Sequence, residues 1–392
     1  MLEQLYQQID EQYDEMIDMR RYLHMHPEVS FKEYKTAEYI ADFYQKLGIS
    51  PKTNVGGNGI IATIEGSKPG KTVAIRADFD ALPIQDAKDD VSYQSTVPGV
   101  MHACGHDGHT TVLLTLAKIM NNMKEELQGT YVFIHQHAEE LIPGGAKSMV
   151  EAGCLEGVDA IFGTHLWSTE EAHAIGYRTG PIAAAADRFE ITIQGKGGHG
   201  AQPHNSRDAI VAASQLVVNI QQIVSRRVNP LDSAVVSIGN FAANNEFNVI
   251  ADSAKLAGTV RTFREEVRES VQEELERIIK GTCLSSNVTY DFHYIKGYPA
   301  VVNHEAETDF LAEVAKEVPG VSSVTELEPK MVGEDFSYYL QKVPGTFFFT
   351  GAAKGDPNDS YPHHHPKFNF NEEAMLTAAK TLGAAAIRYQ TK

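Results

Sequence analysis

The sequence predicts an α/β fold carrying a second, α+β domain inserted into it. Three observations lead there. Apolar strand-like runs alternate with helical runs up to about residue 186 and again after about 298, the pattern of a largely parallel sheet flanked by helices. Between them, residues 187–297 run in the order βαββαβ, a complete ferredoxin-like unit. And 392 residues exceed what one hydrophobic core usually serves. The expected boundaries are therefore 1–186 plus 298–392 for the main domain and 187–297 for the insert.

The elements follow in order. Residues 3–24 place Leu5, Ile9, Tyr13, Ile17 and Leu23 near helical spacing, and the turn comes at His26-Pro27. A second helix over 34–47 stops at Gly48. Strands are expected at Ile60–Ile64 and Thr72–Ala77, the latter running into Asp78 of RADFDALP. The stretch MHACGHDGHTT (101–111) leads into an apolar helix of about 110–120. Strand Tyr131–His135 ends at HAEE (137–140), a helix covers 146–152, and strand Ala160–Thr164 ends at His165. In the insert, Phe189, Ile191 and Ile193 alternate as a strand, Asp208–Ser225 is helical, and Ala234–Ile238 and Leu256–Thr262 are strands. Glu265–Lys280 is a charged amphipathic helix, and Val288 to Tyr294 alternate again. Beyond it come a helix at Glu305–Glu317, a buried strand at Thr346–Thr350 and a terminal Ala-rich helix from near Asn371.

Bulk properties exclude several functions. A net charge of −18 argues against nucleic acid and against anionic lipid as partners. No apolar run reaches the ~20 residues of a membrane span, and the acidic N-terminus has no signal-peptide character. Cys104, Cys154 and Cys283 are too few and scattered for a disulfide framework. The expected location is the cytoplasm.

The chemistry gathers at strand ends, where α/β sheets build their sites. His102 to His109 holds three histidines, one cysteine and one aspartate, the ligand types of a borderline-soft divalent ion. Added to Glu139, Glu140, His165 and the triplet His363–His365, the candidate ligands become Cys104, His106, Glu140, His165 and one histidine of the triplet. Five ligands are too many for one tetrahedral ion and suit two ions with one bridging ligand. Glu139 and Glu140, being adjacent, face opposite sides of an extended segment, so one can bind metal while the other handles protons.

These stretches, with RRYLHMHPE, GTHLW, GKGGHGAQPH, GTVRTF, GEDFSYY and HHHPKF, occur over nearly the whole chain. In them the sequence resembles the amidohydrolase branch of the aminoacylase and glutamate-carboxypeptidase-like di-metal metallopeptidases. That branch includes hippurate, auxin-conjugate and N-acetyl-diaminopimelate hydrolases. The resemblance implies cleavage of N-acyl-amino acids to a carboxylic acid and a free amino acid. It implies two divalent ions, manganese or zinc, with cobalt or nickel also admitted. Cys104 would bridge them, His106 and His165 completing one site, Glu140 and His364 the other. Water between the ions would be activated by Glu139, first general base and then general acid. Asp78 would hold His106 in its liganding tautomer. The insert would be a lid and dimerisation domain, from which His199 donates to the oxyanion of the partner subunit's site and Asn248 and Arg261 hold the substrate carboxylate. Two positions depart from the family pattern, Val332 before GEDF and Ala251 in NVIAD. Two other readings are a metallo-dipeptidase or carboxypeptidase, and a relative that binds metal without catalysing; the retained Glu139 argues against the second.

Overall fold

A computed structural model describes all 392 residues and divides into two compact units. One comprises Met1–Ile182, Val301–Pro329 and Asp335–Lys392; the other comprises Ala183–Ala300 and Lys330–Glu334.

The first unit is built on an eight-stranded sheet. In chain order its strands are β1 (Lys52–Val55), β2 (Gly59–Glu65), β3 (Lys68–Asp78), β4 (Gln128–Gln136), β5 (Ala160–Trp167), β6 (Ala174–Tyr177), β11 (Ser323–Glu326) and β12 (Gly345–Gly351). Their spatial order is β1-β2-β4-β3-β5-β12-β6-β11. The central strands β4, β3, β5 and β12 run parallel, while β2 and β6 flank them antiparallel. This parallel centre is buried, and β12 is apolar or small throughout, as a strand covered on both faces must be. In register, Asp78 lies beside Gln136, Arg76 beside Gly163 and Phe349 beside His165, so the carboxyl ends of the four central strands finish near one level.

Helices α1 (Leu2–Glu11), α2 (Tyr13–Met25), α3 (Tyr34–Lys46), α4 (His106–Asn122), α5 (Gly145–Glu151), α9 (Glu305–Lys316), α10 (Ser337–Leu340) and α11 (Ala374–Tyr389) complete the unit. Helix α4 is buried along almost its whole length, packed by α2, α11 and the sheet, which is why its apolar residues surround it instead of forming one stripe. Gly108 permits this: a Cβ there would stand 2.7 Å from both Leu166 and Phe370 side chains.

Two expectations shift. The N-terminal helix is broken at Gln12 (φ −92°, ψ 3°) into α1 and α2. Helix α4 begins at His106 instead of near 110, because Gly105 takes a left-handed φ of 93° that launches the helix at once. The strands β1, β6 and β11 escape the sequence pattern, being only four residues long and lacking strict alternation.

In the second unit, β7 (Ala185–Gln194), β8 (Ala234–Ala242), β9 (Ser253–Thr262) and β10 (Thr289–Tyr298) form an antiparallel sheet in the order β8-β9-β7-β10. Helices α6 (Ala209–Ile220), α7 (Gln222–Arg226) and α8 (Glu265–Ser285) bring Leu216, Ile220, Leu275 and Ile279 onto Phe189, Ile191 and Ile193. The ferredoxin-like order explains the texture change in the sequence. Lys330–Glu334 joins this unit because the Ala184 N–H donates to the carbonyls of Lys330 (3.1 Å) and Val332 (2.9 Å). Asp187 is its buried polar anchor, accepting from Arg268 (Nε, 2.8 Å), Tyr294 (Oη, 2.6 Å) and the Gly297 N–H (2.9 Å).

Candidate metal centre

In the first unit the loop 101–105 delivers Cys104 directly before α4, and His106 stands on the helix's first turn. From β5 comes His165, whose Nδ1 donates to the Leu166 carbonyl (2.8 Å), leaving Nε2 3.3 Å from the Cys104 Sγ. Past the end of β4 lie Glu139 and Glu140, and the C-terminal loop supplies His364, whose Nε2 is 3.2 Å from Glu140 Oε1.

Ligand atoms of Cys104, His106 and His165 lie within 4.8 Å of one another, and so do those of Cys104, Glu140 and His364. Cys104 thus belongs to both triplets. A third, His106 with Glu139 and Glu140, sets Glu139 beside them. Of the histidine triplet only His364 faces Glu140: His363 packs on Trp167 and accepts from the Ser168 N–H (3.3 Å), and His365 stacks on Tyr361. His364 reaches Glu140 with φ at 66°, held there by its N–H on the Ala103 carbonyl (2.8 Å).

The electrostatics fit divalent cations. Burial, and then the charges of Glu140, Glu139 and Asp78, push the Cys104 thiol well above its ordinary range. Burial alone would lower His106, but Asp78, Asp80 and Glu140 carry it up to about 10. Burial and the neighbouring histidines hold His165 well below its ordinary value, so it stays neutral as a ligand must. His106 Nε2 is buried without a hydrogen-bond partner, and it points at Glu140 Oε1 (3.8 Å), whose near neighbour is the His364 Nε2. A crowd of buried acids around an orphaned ligand nitrogen is what a cation would neutralise.

One role moves. The Nδ1 of His106 meets Asp80, at 2.9 Å from its carbonyl and 3.2 Å from Oδ1. Asp78, expected to hold His106, instead takes the Nδ1 of His109 (2.6 Å) and the guanidinium of Arg76 (2.7 Å), and stands 3.8 Å from His106 Nε2. Asp78 is the last residue of β3, and Asp80 lies two residues on, in the loop that meets the first turn of α4 at His106. Its signal in the sequence was the second aspartate of RADFDALP. Beneath lies more that spacing could not reveal. Asp335 of GEDFSYY accepts from Arg76 (2.9 Å) and Gln136 (2.8 Å). His24, fully buried, bridges Asp107 (2.7 Å) and Asp86 (3.3 Å), with Arg20 on Asp107 as well (2.9 Å), tying α2 to the first turn of α4.

The remaining candidates belong to the second unit. His199 is exposed, opposite Val249 in a two-residue ladder, and the Gly200 N–H donates to the Asn248 carbonyl (2.8 Å), so His199 and Asn248 share one corner. Arg261 sits on β9, half-buried, its guanidinium turned back on Thr259 and the Val260 carbonyl. Burial lowers its pKa, Asp187 partly opposing.

Residues 74–388 match the model of peptidase family M20/M25/M40. The chain belongs to this family. It is 59% identical to the YhaA protein of Bacillus subtilis (strain 168) over 97% of this chain and 96% of that one. It is 46% identical to an N-acyl-L-amino acid amidohydrolase of Geobacillus stearothermophilus over 77% and 82%. Among solved structures, the Bacillus subtilis YXEP protein, a dinuclear metal-binding peptidase of family M20, matches with a TM-score of 0.82 at 37% identity, covering 97% and 98%. The M20 member described here is a hydrolase of amide bonds.

Proposed function

We propose that this M20 enzyme cleaves N-acyl-amino acids at two divalent ions, zinc or manganese. Cys104, His106 and His165 would hold one, and Cys104, Glu140 and His364 the other. The observation that carries the reading is the membership of Cys104 in both triplets, with Glu139 buried beside them. Bound there, the ions supply Lewis acidity, which makes water acidic near neutral pH and polarises a carbonyl. Asp80 keeps the proton of His106 on Nδ1 and so leaves Nε2 for the ion.

The residues then divide the work. Glu139 takes the proton of the attacking water and returns it to the leaving amine. His199 donates to the oxyanion that forms as water adds to the carbonyl. Asn248 and Arg261 grip the carboxylate of the amino acid, Arg261 as a planar fork. The second unit serves as lid and as dimer contact. Its strand β8 is paired on one side only, and Val211 (63% exposed) and Val218 (65%) on α6 leave apolar surface that a second copy would cover. His199 then acts on the partner subunit's site. Three buried free thiols agree with a reducing cytoplasm.

The test is turnover of a panel of N-acyl-amino acids against unblocked dipeptides by metal-loaded protein. Hydrolysis of the acylated series, with Glu139→Gln reduced at least ~10²-fold in kcat at unchanged metal content, is expected. Preference for dipeptides would shift the reading to a peptidase. Glu140→Gln should instead lose metal; reversed phenotypes would exchange the two glutamates.

A further inference from the structure

Glu33 is fully buried and far from every proposed ligand in sequence, yet its carboxylate ends at the backbone that carries the two glutamates. Its Oε1 accepts the N–H of Ala138 (2.9 Å) and that of Phe31 (2.8 Å), and its Oε2 accepts from Asn58 Nδ2 (2.9 Å). Ala138 has a φ of 51°, in the left-handed region that an L-residue with a Cβ enters only at a cost. Such a conformation persists where the surroundings over-determine it.

The surroundings here are specific. The Ala138 N–H is held by Glu33, and its carbonyl accepts from the Gly145 N–H (3.1 Å). Gly145 lies flush on the turn, since a Cβ there would stand 1.9 Å from the His137 carbonyl. Two residues on, the Glu140 N–H donates to Asp80 Oδ2 (3.0 Å), which also accepts from Ser30 Oγ (2.7 Å). The turn 138–140 is thus pinned by two buried carboxylates, and the segment around Ser30 and Glu33 braces both. An extended Ala138 would point Glu139 and Glu140 elsewhere.

We propose that Glu33 is a positioning residue for amide hydrolysis: by holding the Ala138 N–H it keeps Ala138 left-handed and so aims Glu139 at the reacting water while Glu140 faces His364. This rests on the reading of Glu139 as the general base. Glu33 touches neither substrate nor ion. Its effect runs through one backbone dihedral, which makes a distinctive rescue available: glycine at 138 occupies the left-handed region without the Cβ penalty.

The experiment measures kcat and KM on an N-acyl-amino acid at saturating Zn²⁺ or Mn²⁺ for Glu33→Ala, Glu33→Gln and Glu33→Ala/Ala138→Gly, with Glu139→Gln alongside. Glu33→Ala is expected to lower kcat by ~10- to 100-fold, the scale of a misplacement of about 1 Å, with little change in KM. Glu33→Gln keeps an oxygen for both N–H groups, Asn58 turning its amide to suit, and stays near wild type. Adding Ala138→Gly to Glu33→Ala should recover about tenfold, the size of the left-handed penalty that glycine removes. If Glu33→Ala does not fold, Glu33→Asp withdraws the carboxylate by one methylene and takes its place in the same series. Wild-type kcat in folded Glu33→Ala, or in Glu33→Asp where that stands in for it, or a loss that Ala138→Gly does not relieve, overturns the proposal. Should Glu139→Gln itself remain active, the reading of the base fails instead, and the two failures are told apart.

Discussion

Replacing Asp80 by asparagine separates its role from that of Asp78. The side chain keeps its shape and loses its charge. Oδ2 now accepts from Ser30 Oγ (2.7 Å) and the Glu140 N–H (3.0 Å), and Oδ1 faces the His106 Nδ1 at 3.2 Å. If the amide oxygen stays with Ser30 and Glu140, its NH₂ opposes the N–H of His106. The charge-assisted bond from His106 to this side chain is then lost, at a cost of roughly 2 kcal/mol. The Asp80 carbonyl, 2.9 Å from the same Nδ1, preserves part of the tautomer preference, so the loss stays moderate. About 2 kcal/mol corresponds to ~30-fold in affinity, inside the ~10- to 100-fold usual for such outer partners of metal ligands. The assay is competition for Zn²⁺ against a chromophoric chelator, with circular dichroism to verify folding. Asp78→Asn should tell a different story. It leaves buried Arg76 with Asp335 as its remaining carboxylate partner among Asp78 and Asp335, and appears chiefly as destabilisation, of order 3 kcal/mol in urea. Wild-type zinc affinity in folded Asp80→Asn, with weakened affinity in Asp78→Asn, would refute the reassignment.

Chelation should abolish activity and Zn²⁺ or Mn²⁺ should restore it, while Cys104→Ser should weaken both ions together; loss of one ion alone, read by metal analysis, contradicts a shared thiolate. His199→Ala mixed with Glu139→Gln should regain activity as subunits exchange, since one of the two sites in each heterodimer receives both intact groups; none would return if His199 serves its own chain. Burial raises the Glu33 carboxyl from 4.5 to about 7, so the folded state holds this proton more tightly than the unfolded one. Its contribution is therefore most favourable below pH 4.5 and falls as pH rises toward 7, by up to about 3 kcal/mol. Glu33→Gln, which cannot ionise, should then gain on wild type in urea unfolding at pH 8 and show no gain at pH 4.

Periodicity and composition determined much of this protein. The alternation of Phe189, Ile191 and Ile193, the apolar run of β12 and the turn at Gly48 each follow from local chemistry, because side-chain spacing of two or 3.6 is written directly in the chain. So did the gathering of Cys104, His106, Glu140, His165 and one of His363–His365 as candidates, since strand ends of a parallel sheet converge whatever the details. Folding in space decided the rest. The resemblance pointed to His364 in the triplet, but what turns it to Glu140 is a left-handed φ and a hydrogen bond to Ala103, which periodicity does not encode. That Asp80 and not Asp78 meets the Nδ1 of His106 depends on the path of the loop that follows β3. Glu33 reaches Ala138 across 105 residues of sequence. Such contacts are made by side chains that are unremarkable where they stand in the chain. Their meaning comes from the buried partner each must find, because a carboxylate taken out of water is stable only where donors or cations meet it.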